Sequence, residues 1–383
     1  MNLPKAMKRS TQAFTSDAGL FMRYLTVYRS VLKRISSSVL LWMLLGGTVH
    51  AQIVPDGTLG EARSSIVPRA LGGDAIQGGA IRGSNLFHSF SEFNVGDGAR
   101  VYFANPTGIQ NILTRVTGGN VTNINGTLGV DGTANLFLLN PNGILFGQNA
   151  RLDVRGSFIG STANAIQFGN QGTFSATNPQ APPLLTVQPS ALTFTQIQGG
   201  EIVNRSQADN RTGLSVPTGK SLLLVGGNVA SDGGNITVPG GRVELGGLAE
   251  PGTIALTNQS DRWQLGFPTG VQRSDITLQN QGSILITGGL DDIVLTGRNI
   301  TVTDTPLTPV LVSGVGTPER RSGDLILNAT GNVSLDYSNT QGSRLGNAIG
   351  DIGSQQITAE QVSRRLKNSG TSTECQSINQ ISS

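Results

Sequence analysis

The groups in this sequence that could do acid–base chemistry are few and scattered. Asp291 and Asp292 form the only adjacent carboxylate pair in the chain. Two carboxylates can share a glycosidic cleavage, one giving a proton while the other acts as base or nucleophile. Neighbours on a strand point to opposite faces, however, so this pair would need a bend and a third carboxylate from an adjacent segment. Solvated acids ahead of the apolar Ile293 are the simpler reading. His88 is the only histidine after His50. Between Phe87 and Ser89 it reads as a packed residue, and no Ser/His/Asp set is suggested around it.

Phosphate, metal and thiol chemistry have no better support. Residues 213–221, GLSVPTGKS, have the outline of a phosphate loop, but five residues separate the glycines where four are required. Leu222-Leu223-Leu224-Val225 also reads as strand where a helix must begin. The Gly-rich runs lack the GGxGxD nonapeptide of calcium-binding rolls, and Asp232 and Asp324 are isolated corner acids that could hold at most a surface ion. Cys375 is the single cysteine, so there is no internal disulfide, redox pair or zinc set. It reads as an incidental tail residue, with an intermolecular disulfide as the alternative. Neither a cofactor nor a metal is expected.

The chain does specify a framework. Of its 383 residues 52 are Gly, 13% are charged and 5% are aromatic. That leaves too few large side chains for an ordinary compact core and too few charges for a disordered chain. A thin, repetitive β structure fits, each layer burying a few Val, Ile and Leu while Gly and Asn make the corners. The clearest stretch is 135–162, NLFLLNPNGILFGQNARLDVRGSFIGST. Leu136 to Leu139 and Ile144 to Phe146 read as strands, apolar on successive residues and therefore expected to be buried on both faces. Between them Asn140-Pro141-Asn142-Gly143 offers a side-chain oxygen to the turn backbone, a proline where φ near −65° is wanted, and Asn-Gly where positive φ is tolerated. The turn is expected to reverse the chain.

Strand triplets return further on. They are Ile236-Thr237-Val238, Val243-Glu244-Leu245, Ile276-Thr277-Leu278, Ile284-Leu285-Ile286, Ile293-Val294-Leu295, Ile300-Thr301-Val302, Leu325-Ile326-Leu327 and Val333-Ser334-Leu335, with starts within each run seven to nine residues apart. With roughly three faces per coil, a rung would take about 20 to 25 residues, a solenoid period. A β-sandwich of short strands is the alternative, disfavoured because no clear two-residue hairpin turn is visible. Residues 359–366 are expected to form one or two helical turns, with Glu360 near the start and Arg364, Arg365 and Lys367 near the end as the helix dipole favours.

The charge is unevenly placed. Lys5, Lys8, Arg9, Arg23, Arg29, Lys33 and Arg34 precede the short apolar run 39–45, and small residues follow up to Ala51. That is the pattern of a secretory signal, addressed to the general secretory machinery and cleaved after Ala51. The run is too short for a stable membrane span of about 20 residues, although an anchor is the alternative. The basic region is long, and Met7 or Met22 is an alternative start, Met22 giving a signal of ordinary length. Loss of residues 1–51 removes seven of 27 basic groups and one of 24 acids, leaving 20 against 23. No basic stripe with interleaved aromatics remains, which argues against a nucleic-acid partner.

FHSFSEFNV at 87–95, IQNILTRVTGG at 109–119, NINGTLGV at 123–130 and NLFLLNPNGILFG at 135–147 follow one another in an order that is itself informative. Together they resemble the secretion domain of the filamentous haemagglutinin family, the exported partner in two-partner secretion, and particularly its cyanobacterial members. The resemblance is close over residues 52–177. It implies an all-β fold, a right-handed parallel β-helix (solenoid) with an N-terminal β cap. Phe87, Phe90 and Phe93 would belong to the cap, since no single strand face gives a three-residue spacing. It also implies a partner, an outer-membrane β-barrel transporter whose periplasmic domains recognise the exported chain. Asn140, Pro141, Asn142, Gly143 and Ile144 match the family's NPNGI recognition motif. Haemagglutinin-type members carry a further NPNL motif upstream, which is absent here and leaves the subgroup open.

The expected organisation is a signal over 1–51, a secretion domain over 52–188 ending in the Pro-rich step 178–189, β-helical repeats over 189–338, and a polar tail over 339–383 that suits a short or truncated member. The first functional reading is a non-catalytic exoprotein, secreted or held at the surface after crossing the periplasm and outer membrane of a Gram-negative-type cell. A β-helical polysaccharide-cleaving enzyme is the second. Adhesion to a surface ligand is the third, without a recognisable ligand site in the repeats.

Overall fold

The computed structural model describes residues 52–195, 200–286, 292–303, 311–313, 323–337, 355–366 and 375–378. The signal segment with Ala51, and Asp291 of the acid pair, lie outside them.

Short apolar strands separated by Gly/Asn corners cannot bury themselves singly, and here they stack in register as a parallel β-helix of three faces. The first face carries Asn85–Asn94, Asn111–Val116, Asn135–Leu139, Phe158–Ser161, Ser221–Gly226, Arg242–Gly247, Ile293–Gly297, Leu325–Ala329 and Gln355–Thr358, all parallel. The second carries Thr122–Ile124, Ile144–Phe146, Ile202–Asn204, Val229–Asp232, Ile276–Gln279, Ile300–Thr303, Asn332–Tyr337 and Gln361–Leu366. The third runs from Asp74–Gly78 through Arg100–Ala104 and Thr127–Asp131 to Arg151–Asp153, and resumes with Asn235–Val238, Ser283–Ile286 and Leu311–Ser313. Every expected strand triplet lies in one of these strands. Uninterrupted coils take 21 to 26 residues between first-face partners.

Antiparallel strands close the starting edges, where unpaired backbone would otherwise invite another chain. Gln52–Pro55 and Ala80–Arg82 pair with Asn85–Asn94, and Ser64–Pro68 pairs with Asp74–Gly78. The register against Gln52–Pro55 slips between Val54, opposite Glu92, and Pro55, opposite Phe90. Ser91 is thus the extra residue of a β-bulge.

Two excursions leave the helix at the corner between first and second faces, over 162–201 and 248–275. Together they build an antiparallel sheet from Thr173–Ser175, Ala165–Gln167, Ala191–Phe194, Gly252–Gln259 and Arg262–Gly266. This sheet covers the outer side of the first face. Phe87, Leu113, Phe137 and Ile159 of that face join Ile166, Phe174, Ile254 and Trp263 in a second buried cluster, separate from the core inside the helix. Burial on both sides explains why Asn135–Leu139 is buried at every position. Ile144–Phe146 departs from that expectation: it sits on the second face, which has no such cover, and Leu145 is only half-buried.

Two other expectations are corrected. Gly252–Gln259 and Arg262–Gly266 are joined by a two-residue turn, Ser260-Asp261, with φ of 53° and 65° at its two residues. A mirror-type turn of this kind normally announces itself with Gly or Asn, so Ser-Asp gave no signal. Residues 359–366 are not helical. Gln361–Leu366 is a second-face strand paired in parallel with Asn332–Tyr337, and Ile357, Ala359 and Val362 pack against the inner core from either side of the corner that precedes it.

The Pro-rich step interrupts the coil, yet the chain there is bound to the first two coils. Arg82 Nε donates to the carbonyls of Pro182 and Pro183, and Asn85 Nδ2 to those of Leu185 and Val187. Arg115, 1% exposed, reaches the carbonyls of Ser175 and Gln180 and the hydroxyls of Thr58 and Ser89. Those hydroxyls in turn donate to Asp56. Across the step the same first face continues, Phe158–Ser161 pairing with Ser221–Gly226.

Burial lowers the Arg115 guanidinium to about 10, with the Asp56 charge opposing that shift. For Asp56 itself burial raises the pKa, but hydrogen bonds from Thr117, Thr58 and Ser89 outweigh it and hold the group below its ordinary 3.8. A depressed carboxyl contributes stability that is present above the unfolded value and is lost as pH falls through the folded one. Urea denaturation at a series of pH values should therefore show stability falling below about pH 4, with a shallower fall in Asp56→Asn. The outer sheet gives a second expectation. Trp263 is fully buried, its ring edge-on to Phe137 with centroids 5.2 Å apart. Trp263→Ala should cost about 3–5 kcal/mol in the same experiment.

Candidate functional site

Leu139 ends a first-face strand and Ile144 begins a second-face strand, so the four residues between them form one corner of a coil. The expected chain reversal does not occur. Each strand pairs in parallel with the coils before and after it, and none of its backbone pairing is with its sequence neighbour.

Asn140 is fully buried and organises the corner. Its Oδ1 accepts from Asn142 N at 3.0 Å, and Gly143 N closes the turn on the Asn140 carbonyl at 3.1 Å. Its Nδ2 donates to the carbonyl of Asn120 and to Thr122 Oγ1, both at 2.9 Å, in the preceding coil. Only a primary amide supplies acceptor and two donors at one site. Gly143 has φ +126°, and a Cβ there would lie 3.0 Å from the Glu201 carbonyl oxygen. Gly200 is tighter still, since a Cβ would lie 2.2 Å from the Pro141 carbonyl oxygen. Ile144 is buried, its N–H bonded to the Glu201 carbonyl. The corner is therefore clamped between Asn120 to Thr122 before it and Gly200-Glu201 after it, where the first excursion re-enters the helix.

Two residues of the five face outward. Asn142 is exposed and Pro141 half-buried. Asn142 Nδ2 donates to the Gly118 carbonyl at 2.7 Å, and Val121, 41% exposed, adjoins the corner.

The three phenylalanines lie on one strand, Asn85–Asn94, but are divided between its sides. Phe87 faces the outer cluster, while Phe90 and Phe93 face the inner core. The bulge at Ser91 reverses the alternation between them, which is how a three-residue spacing arises on one strand. His88 is buried against Phe90 and Phe103, with Ser64 Oγ 3.0 Å from Nδ1. Burial pulls its imidazole down to about 3, so it is neutral near pH 7.

Inspection of the sequence missed an asparagine ladder. Asn111 Nδ2 donates to Asn85 Oδ1 at 3.0 Å, and Asn135 Nδ2 to Asn111 Oδ1 at 2.9 Å. Asn135 Oδ1 then accepts from Ser157 N. The signal was available, since each of these asparagines precedes an apolar pair, Leu86-Phe87, Ile112-Leu113 and Leu136-Phe137, at one coil's spacing.

Asp292 is ion-paired to Arg242, whose Nε also holds the buried Glu244. Asp232 accepts from Asn280, Arg205 and Gln279, and these bonds hold its carboxyl below the usual range against the effect of burial. Residues 213–221 lead into the buried strand Ser221–Gly226, as expected.

Residues 51–302 match the family model of the TPS secretion domain. The chain belongs to this family. A TPS secretion domain marks the exoprotein of a two-partner secretion system, exported across the outer membrane with a transporter as partner, and the family is one of secretion, not of enzymes. The match extends past Thr177 and past the Pro-rich step. Two solved structures are similar over 80% of this chain. One is the HMW1 secretion domain from Haemophilus influenzae, 16% identical, covered over 100% of its length with a TM-score of 0.43. The other is the filamentous hemagglutinin secretion domain, 15% identical, covered over 99% with a TM-score of 0.43. No curated protein matches the sequence.

The corner of this TPS domain gives a graded expectation. Asn140→Ala strands the buried Thr122 hydroxyl and removes the donor to the Asn120 carbonyl, and should cost about 1–3 kcal/mol, whereas Asn142→Ala, losing an exposed amide, should cost under about 1 kcal/mol. Thermal and urea denaturation of the two variants checks the order.

Proposed function

We propose that the corner at residues 140–144 is the element by which the transporter's periplasmic domains recognise this exoprotein, and that Pro141 and Asn142 are the residues it meets. The supporting observation is the division of the motif. Asn140, Gly143 and Ile144 are buried and shape the corner, while Pro141 and Asn142 project from it. The segment 1–51, cleaved after Ala51, would deliver the chain to the periplasm through the general secretory machinery.

We further propose that the N-terminal coils nucleate folding outside the cell. A rung buries its apolar side chains only against adjacent rungs, so a chain can cross a membrane extended and complete its core as neighbours arrive. The antiparallel strands at the starting edges give the first parallel strands something to build on. Outer cover arrives later, when residues 165–194 and then 252–266 emerge. Surface adhesion would be a property of the exported coils once folded.

A polysaccharide-cleaving reading has less behind it. Asp292 is held by Arg242, the guanidinium that also holds the buried Glu244, so its carboxylate is engaged in a structural ion pair.

Export in a Gram-negative host, with and without the cognate transporter, tests the proposal when medium, surface and periplasm are assayed for the chain. Wild type should appear outside only with the transporter. Asn142→Ala and Pro141→Ala should remain in the periplasm while melting close to wild type. Release of either variant at the wild-type level would refute the recognition role of this corner.

A further inference from the structure

The outer antiparallel sheet carries an open cleft of about 660 Å³ between residues 169–170, residues 187–190 and the hairpin end 256–261. Its volume is within the range of small-ligand sites, roughly 300–1,000 Å³. Asn170, Asn258, Ser260 and Asp261 line it together with Val187 and Leu256. Among the described residues, no group takes the side-chain amides of Asn170 and Asn258 or the hydroxyl of Ser260 as a hydrogen-bond partner. Three uncommitted polar side chains thus meet at one cleft.

The chemistry of the lining narrows the ligand. An amide offers two donors and an acceptor, a hydroxyl one donor and two acceptor sites, and a carboxylate acceptors alone. That set matches a row of vicinal hydroxyls, each of which both donates and accepts. The one charged lining residue, Asp261, is paired with Lys220 Nζ at 3.1 Å, so the cleft presents no unpaired cation to a sulfate, phosphate or uronate. Val187, 43% exposed, provides apolar surface for the C–H face of a ring. The hairpin end is fixed before any ligand arrives: Trp263 N is bonded to Ser221 Oγ at 2.9 Å, and both turn residues hold positive φ. Such pre-organisation reduces the ordering cost of binding. We propose that this cleft binds a neutral oligosaccharide.

The cleft and the export corner lie at opposite ends of the first-face strands. Gln188 bonds to Gln110, which precedes Asn111–Val116, and the Asp261 carbonyl accepts from Ser157, which precedes Phe158–Ser161. The corner follows Leu139 at a strand end. Failure of one proposal therefore leaves the other standing.

The purified full chain on an array of neutral and anionic glycans, followed by calorimetric titration with the best neutral one, provides the test. Binding to neutral glycans is expected, weakened by about tenfold or more in Asn170→Ala/Asn258→Ala and unchanged in Asn142→Ala. Should the double variant melt lower than wild type, Val187→Arg, which fills the cleft from an exposed position, is expected to abolish binding with the fold intact. Capture of anionic glycans alone, of none, or binding that survives both sets of changes would overturn the proposal.

Discussion

The first face has to be covered on both sides, and much of the molecule follows from that constraint. A solenoid with one core needs apolar side chains only on the inward positions of each strand. Here Phe87, Leu113, Phe137, Leu139 and Ile159 put a second apolar row on the outside. Left bare it would be a contiguous hydrophobic patch of the kind soluble monomers rarely show. The two excursions exist to cover it, and both leave the coil at the same corner, so the covering sheet is assembled from segments far apart in sequence. Folding of this region is therefore less local than a simple stack of rungs: the outer side of the earliest strands is finished only when Ile254 and Trp263 dock.

That geometry gives the Asn-Pro-Asn-Gly corner its particular position. It is the last tight corner between first and second faces before the chain departs on its first excursion, and the returning Gly200-Glu201 lands directly on it. The Gly143 and Gly200 contacts leave no room for side chains where the two segments touch. Asn140 supplies from one buried amide what would otherwise take two or three separate groups, tying its own turn and the preceding coil together. The Asn85–Asn111–Asn135 ladder does the same at the opposite ends of the strands. Both devices meet the requirement that backbone and side-chain polar groups removed from water find partners, and both do so without charge.

How much of this could be read from the sequence depends on the range of the interaction. Strand triplets such as Ile293-Val294-Leu295 and the Gly/Asn corners between them are local signals, and the coil they define was legible. The cover on the first face was half-legible, because an unbroken run such as Leu136 to Leu139 shows that two faces are buried without showing what buries them. The hairpin that supplies Trp263 was invisible, since Ser260-Asp261 adopts a turn those residues seldom mark. Residues 359–366 carry charges suited to a helix, yet the core's need for Ile357, Ala359 and Val362 decided the matter. At the Asn-Pro-Asn-Gly corner the turn chemistry was legible, but the direction of the chain beyond it was not, because a parallel coil and a hairpin use the same residue types to turn.

The corner's hydrogen bonds also bear on what a transporter can read. Asn140 reaches Asn120 and Thr122, Asn142 reaches Gly118, and Ile144 reaches Glu201. These partners lie outside the motif, so its ties to the fold exist only where the coils on either side have formed, while the turn itself is closed locally on Asn140. On the proposed recognition, a transporter that reads the shape must meet a folded patch spanning roughly residues 118 to 201, whereas a chain proposed to cross extended would present none of it. Both demands are compatible if the determinant is small and exposed in either state. The proline ring at 141 and the Asn142 amide beside it meet that condition, since neither is enclosed when the corner forms. The buried remainder of the motif then holds those two side chains at one spacing in the folded state, without itself having to touch the partner.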